Sequence, residues 1–164
     1  MNSPRRWRGA ALVELALVLI PLMIIVFGIT EFGRVLYQEN TLTKSVTVGA
    51  RHITRTEGLL DGSDCSINDS ADWEAVKQAA ANLVVCGDAA GCGERRAVVP
   101  GLHPGLVTIP APERIDAVPG RAVCRVVVAA EVEFDALFGQ GVVPFTGIGR
   151  VMLNARTEER WSDD

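Results

Sequence analysis

Few side chains in this 164-residue sequence have the type and spacing to do chemistry, and the one most out of place is Glu14. It stands alone inside an apolar run from Ala10 to Ile29. A carboxylate at the centre of a membrane segment costs about 2.5–3.5 kcal/mol, less near an end, so such an acid is by default a functional group. Four cysteines, Cys65, Cys86, Cys92 and Cys124, all follow the run, and an even number in an exported domain reads as a disulfide framework. The C-x5-C spacing of Cys86 and Cys92 is not a zinc spacing, and no histidine lies near it. The only histidines are His52, expected on a helix, and His103, beside Pro104, and neither forms a Ser-His-Asp candidate set. Asp61, Asp64 and Asp69 cluster in one loop but lack the glycine and glutamate offsets of a calcium loop. Neither a catalytic site, a metal nor a cofactor is expected.

The element that positions Glu14 is the apolar run itself. About twenty apolar residues span a bilayer. Arg5, Arg6 and Arg8 precede the run, whereas Glu31 and Arg34 after it cancel, so the positive-inside rule leaves the N-terminus in the cytoplasm. A cleaved secretory signal does not fit well, since the run is long, carries Glu14 near its start and ends without an A-x-A site. A plain anchor explains everything except Glu14. A cut after Gly9 explains the spacing: Ala10 would gain a free amine and Glu14 would become the fifth residue. An amine brought by a neighbouring subunit could then neutralise the carboxylate in lipid, making the acid an assembly device.

The segment "RGAALVELALVLIPLMIIVFGITEFGR" resembles the N-terminal signature of TadE-like proteins, pseudopilins of the tight-adherence (Tad, or Flp) pilus systems. Gly9, Val13, Glu14, Ala16, Leu17, Val18 and Pro21 match its first part, and Gly28, Glu31 and Gly33 match its G-x-x-E-x-G close. Leu15 departs from it, since the family usually has an aromatic there. The resemblance covers about residues 8 to 37. It implies a structural protein cut by a prepilin peptidase between Gly9 and Ala10, with Glu14 and Pro21 serving assembly and recognition. It implies other pilins and pseudopilins, the peptidase and an inner-membrane assembly platform as partners. The alternatives are a single-pass periplasmic assembly factor that never polymerises and a type II secretion pseudopilin. The latter usually begins with Phe where this chain has Ala10.

Apolar positions continue past the run at Phe32, Val35, Leu36, Leu42, Val46, Ala50 and Ile53, at mostly helical spacing. The spacing predicts one helix from Ala11 to Glu57, kinked or loosened at Pro21 and stopped by Gly58. Gly33 and Gly49 are further weak points, and the stripe is expected to dock a soluble domain. A second helix is expected over about Ala71 to Val85, with Ser70 as N-cap. Three strands follow: "GLVTIP", "RAVCRVVVAAEVEF" and "RVMLNARTEER". "DALFGQGVVPFTGIG" reads as a long connection before the last of them, and "RTEERWSDD" as a polar tail in which Trp161 covers an edge. Arg125, Glu131, Glu133 and Arg156 are expected on a solvated, salt-bridged sheet face. Cys124 falls on the apolar face of its strand, which favours a buried bridge to Cys65 and leaves Cys86 with Cys92.

The expected fold is therefore α+β, a lollipop with a long N-terminal helix and a small antiparallel head. The divisions are a basic leader over 1–9, a transmembrane helix over 10–30, its amphipathic continuation over 31–57, and a periplasmic head over 58–164. A net charge of −4 and a pI near 5.2 argue against a nucleic-acid partner.

Overall fold

A computed structural model describes residues 5–118, 121–137 and 151–161. The apolar run and its amphipathic continuation form one helix, α1 (Arg5–Thr54), roughly 75 Å long at 1.5 Å per residue. Pro21 lies inside it without ending it, although it offers no N–H to the carbonyl one turn earlier. Thr30, Thr41, Thr43 and Thr47 turn their hydroxyls back onto the carbonyls four residues before them, so these polar groups need no outside partner. Arg51 and His52 occupy the last turn, where positive charge complements the helix dipole. The helix stops at Thr54, earlier than the expected Glu57. Gly58 (φ 69°) turns the following loop and does not cap the helix.

The second helix, α2 (Ser70–Cys86), is capped by Asp69 and not by Ser70, which is its first residue. The Asp69 carboxylate accepts from the amides of Ala71 at 2.7 Å and Asp72 at 3.4 Å. Gly87 ends the helix in the left-handed region (φ 72°) and donates its N–H to the Leu83 carbonyl. Gly49 of α1 faces this helix. A β-carbon there would lie 2.6 Å from Val84 Cγ2 and 3.1 Å from the Ala80 carbonyl oxygen. Gly49 is thus a point of close helix–helix approach and not a weak point.

The sheet has four strands, one more than expected: β1 (Val107–Thr108), β2 (Glu113–Val118), β3 (Arg121–Glu133) and β4 (Met152–Trp161), all pairings antiparallel. β2 was missed because "PAPERIDAV" reads as a proline-punctuated, charged stretch, and its pairing comes from β3. The long β3 is central, with β4 along one side and β1 and β2 sharing the other. "GLVTIP" contributes only two paired residues, its start being a short 3-10 turn over Pro104–Leu106. β4 runs on through Trp161, so the polar-tail reading fails there: Trp161 is buried and its indole N–H reaches the Thr56 carbonyl. The connection predicted around residues 138–150 lies outside the described residues.

Alternation on β3 buries Cys124, Val126, Val128, Ala130 and Val132 beneath α1, followed by Phe134 just past the strand. Leu42, Val46, Ala50 and Ile53 meet them from α1, joined by Leu153 and Ala155 of β4. Two disulfides tie this core down. Cys65–Cys124 joins residues 59 apart in sequence, and Cys86–Cys92 closes a small loop after α2.

Candidate functional site

The helix α1 has two environments. From Gly9 to Val26 every residue is exposed, with Leu17 at 68 %. This half meets the length and hydropathy of a membrane span, and none of the apolar window is covered by the rest of the chain. Glu14 stands on it as the sole acid. Among the described residues, no hydrogen bond or ion pair engages its carboxylate. Gly9, Ala10 and Pro21 lie on the same bare half, and a β-carbon at Gly9 would meet nothing within 4 Å. These four residues share the exposed half of one helix and converge on no cleft.

The second half begins abruptly at Glu31, which is fully buried. One carboxylate oxygen accepts from Arg34 Nη1 at 2.9 Å, and the other accepts the Leu137 amide at 2.7 Å. Arg34 also donates to the Asp135 carbonyl at 3.3 Å and places its guanidinium 5.3 Å from the centre of the Phe134 ring. A buried carboxylate is tolerated only when paired and hydrogen-bonded, and here both conditions are met. Beyond it, Thr47 meets Thr157, Arg51 meets Glu159 and Thr56 meets Trp161. So α1 and β4 run side by side in the same direction, and the end of β3 returns to the level of Glu31.

Sequence reasoning noted Glu31 as part of a motif and as a charge cancelling Arg34, and missed this junction. The signal was present. Glu31 falls on the stripe of Val35, Gln38, Leu42 and Val46, so an acid occupied a docking position. Gln38 is the other polar residue on it and is also buried.

Elsewhere the titratable groups hold turns and strands. Hydrogen bonds from Ser63 lower the Asp61 pKa, and those from Ser66 lower that of Asp64. These carboxylates are thereby committed to tightening the 61–66 turn. On the outer sheet face Arg125 bridges Glu113 of β2 and Glu158 of β4. Its pKa is raised, chiefly by the Glu113 hydrogen bond, and that of Glu158 is lowered, first by Arg156 and then by Arg125. The expected salt-bridged face therefore exists around Arg125 and Arg156. Glu131 and Glu133 line a shallow groove with Leu106, Thr108 and Met152. His52 is partly buried on α1 and His103 is exposed beside the 3-10 turn.

The model of the TadE-like protein family matches residues 9–51. Over that segment the chain is TadE-like. The match begins at the bare half of α1, crosses the Glu31 junction and ends three residues before the helix does. The match connects this segment with Tad pilus systems. No curated protein and no solved structure is matched by this chain. The match thus takes in the bare half and most of the docked half of α1, with the head sheet outside it.

Proposed function

We propose that this protein is a minor pilin or pseudopilin of a Tad (Flp) pilus, matured by a prepilin peptidase between Gly9 and Ala10. The observation that carries the proposal is the bare half of α1, exposed along its length with one acid that has no partner among the described residues, inside the TadE-like match. Such a surface is stable in lipid or against other helices of its kind, not in water. The basic leader stays in the cytoplasm and the head lies on the periplasmic side of the inner membrane. After cleavage, Glu14 is the fifth residue and pairs with the new amine of a neighbouring subunit. Pro21 loosens the helix in the middle of this packing surface. Its partners are other pilins, the peptidase during maturation and the membrane assembly platform, and its service is to pilus initiation and adhesion.

Cleavage requires the peptidase to open the helix around Gly9. Glycine lowers helix stability by about 1 kcal/mol relative to alanine, which eases that opening. Because a methyl group at position 9 meets nothing, Gly9→Ala leaves the packing of the head untouched and tests the peptidase's recognition and local opening of the helix. The chain is expressed with and without a prepilin peptidase and its N-terminus is read by mass spectrometry. A new N-terminus at Ala10, lost in Gly9→Ala, is expected; an intact N-terminus, or a cut near Thr30, refutes the proposal. Glu14→Ala should still insert in the membrane but assemble poorly, and normal piliation in that variant would remove the role given to Glu14.

A further inference from the structure

The apolar run from Ala10 to Ile29 is about 30 Å long as a helix, the thickness of a bilayer's hydrocarbon core. Glu31, two residues later, is already part of the head. No stalk separates span from head, so the segment held by Glu31 stands at the level where lipid begins. That segment carries an unusual surface. Among the described residues of the strands and their flanks (107–137 and 151–161), the exposed large hydrophobics are Leu137 at 65 % and Met152 at 47 %. Both lie at this one end: Leu137 donates its amide to Glu31, and Met152 pairs with Glu133 at the close of β3. Phe32, exposed on the next residue of α1, adds a third apolar side chain at the same level. The opposite end of the head carries Asp61, Asp64 and Arg114, all exposed.

We propose that the Glu31–Arg34 pair seats the head directly on the bilayer, with Leu137 and Met152 in the lipid interface. The occupant of this apolar end is a lipid surface, because the patch is continuous with the span; on α1 the exposed apolar side chains run on past Phe32 to Leu36 and Tyr37, about two turns beyond the end of the span. Glu133 and Asp135 are exposed between these side chains and confine the contact to the headgroup level. Glu31 acts as a positioning residue. It holds the Leu137 backbone through one hydrogen bond and orients Arg34, which fixes Asp135 and Phe134. The consequence is a head with one orientation to the membrane, its charged end pointing away.

The inference rests on reading residues 10–30 as a membrane segment, and its test separates the two. The full chain is placed in nanodiscs at one copy per disc, with and without lipids brominated near the headgroup or along the acyl chain. Single tryptophans are introduced by Leu17→Trp, Leu137→Trp and Glu57→Trp, and the parent's emission is subtracted. The proposal expects Leu17→Trp to be quenched by acyl-chain bromine. Leu137→Trp should be blue-shifted and quenched by bromine near the headgroup, and Glu57→Trp should be unaffected. An unquenched Leu17→Trp overturns the membrane reading itself. A quenched Leu17→Trp with an unquenched Leu137→Trp overturns only the seat. A Leu137→Trp blue shift that appears only with two copies per disc assigns the patch to a second chain and also overturns it. Adding Glu31→Ala should abolish the Leu137→Trp quenching while non-reduced peptide mapping still finds both disulfides. Glu31→Gln, which keeps an acceptor for the Leu137 amide, should restore it. Equal quenching in all three backgrounds would remove Glu31 from the role.

Discussion

Residues 9–30 and 31–54 are one helix by backbone but have opposite surroundings. In the first half Leu17 is exposed and touches no other element; in the second Leu42 is fully buried. Glycine has two meanings in the same helix. Gly28 has open space where its side chain would be, whereas Gly49 is pressed against Val84 and Ala80. The acids differ most. Glu14 has no partner among the described residues, and Glu31 has Arg34 and the Leu137 amide. A charge in an apolar setting is satisfied within the chain in one half, whereas no described residue satisfies the one in the other. The first half is thus a bare apolar surface, and the second is a structural beam of the head.

The disulfides give the largest expected separation between the halves. Replacing Cys65 and Cys124 together by alanine frees a loop of 59 residues, which in the chain-entropy model lowers head stability by about 4 kcal/mol. The same change at Cys86 and Cys92 frees a loop of 6 and should cost about 2 kcal/mol. Denaturant unfolding in detergent, read by the fluorescence of the buried Trp73 and Trp161, measures both. Neither change should lower the helicity contributed by residues 10–30, and a parallel loss there would mean that the two halves fold as one unit.

Leucine truncation is the next most discriminating test. Leu42→Ala opens a cavity in the core and should cost about 2–5 kcal/mol of head stability. Leu17→Ala removes a side chain that touches no part of the head and should leave that stability within about 0.5 kcal/mol. A large effect of Leu17→Ala on the head would refute the division of the helix.

Much of this division was legible in the sequence. The run from Ala10 to Ile29 announced a surface with no polar outlet. The alternation Cys124, Val126, Val128, Ala130 and Val132 announced the core face of β3. What escaped depended on contacts between distant residues. β2 is a strand because β3 offers it a ladder, and its own residues, Glu113 to Val118, carry no strong strand pattern. Glu31 is buried because residues more than a hundred positions later return to it. The role of Gly49 depends on where α2 crosses, which no local pattern encodes. Asp69 displaced Ser70 as N-cap because both are good caps and only the geometry of the preceding loop chooses between them.

The glycines extend the comparison. Gly49→Ala places a methyl 2.6 Å from Val84 Cγ2, and separating the helices to admit it should cost about 1–3 kcal/mol. Gly28→Ala meets nothing within 4 Å and lies on the half that takes no part in the head, so it should leave head stability within about 0.5 kcal/mol. Thermal unfolding of the head should register a loss in Gly49→Ala alone. Destabilisation by both would indicate that Gly28 faces a neighbour within the chain.

The smallest expected effect is the response to acid, and it belongs to the head alone. Asp61 and Asp64 have pKa values lowered from the ordinary 3.8 by hydrogen bonds from Ser63 and Ser66, and Glu158 is lowered from 4.5 by Arg156 and Arg125. A carboxyl group whose folded pKa lies below its unfolded one contributes stability that is complete above the unfolded value. That stability is lost as the pH falls through the folded value. Head stability should therefore be flat above about pH 5 and decline below about pH 4, as these carboxylates take up protons. All three groups are exposed to water, so each contribution is small and should shrink further in high salt. Asp61→Asn keeps an oxygen acceptor for the Ser63 amide and should flatten the decline in a pH series of denaturant midpoints. An unchanged slope in that variant would show that the 61–66 turn does not couple its protonation to folding.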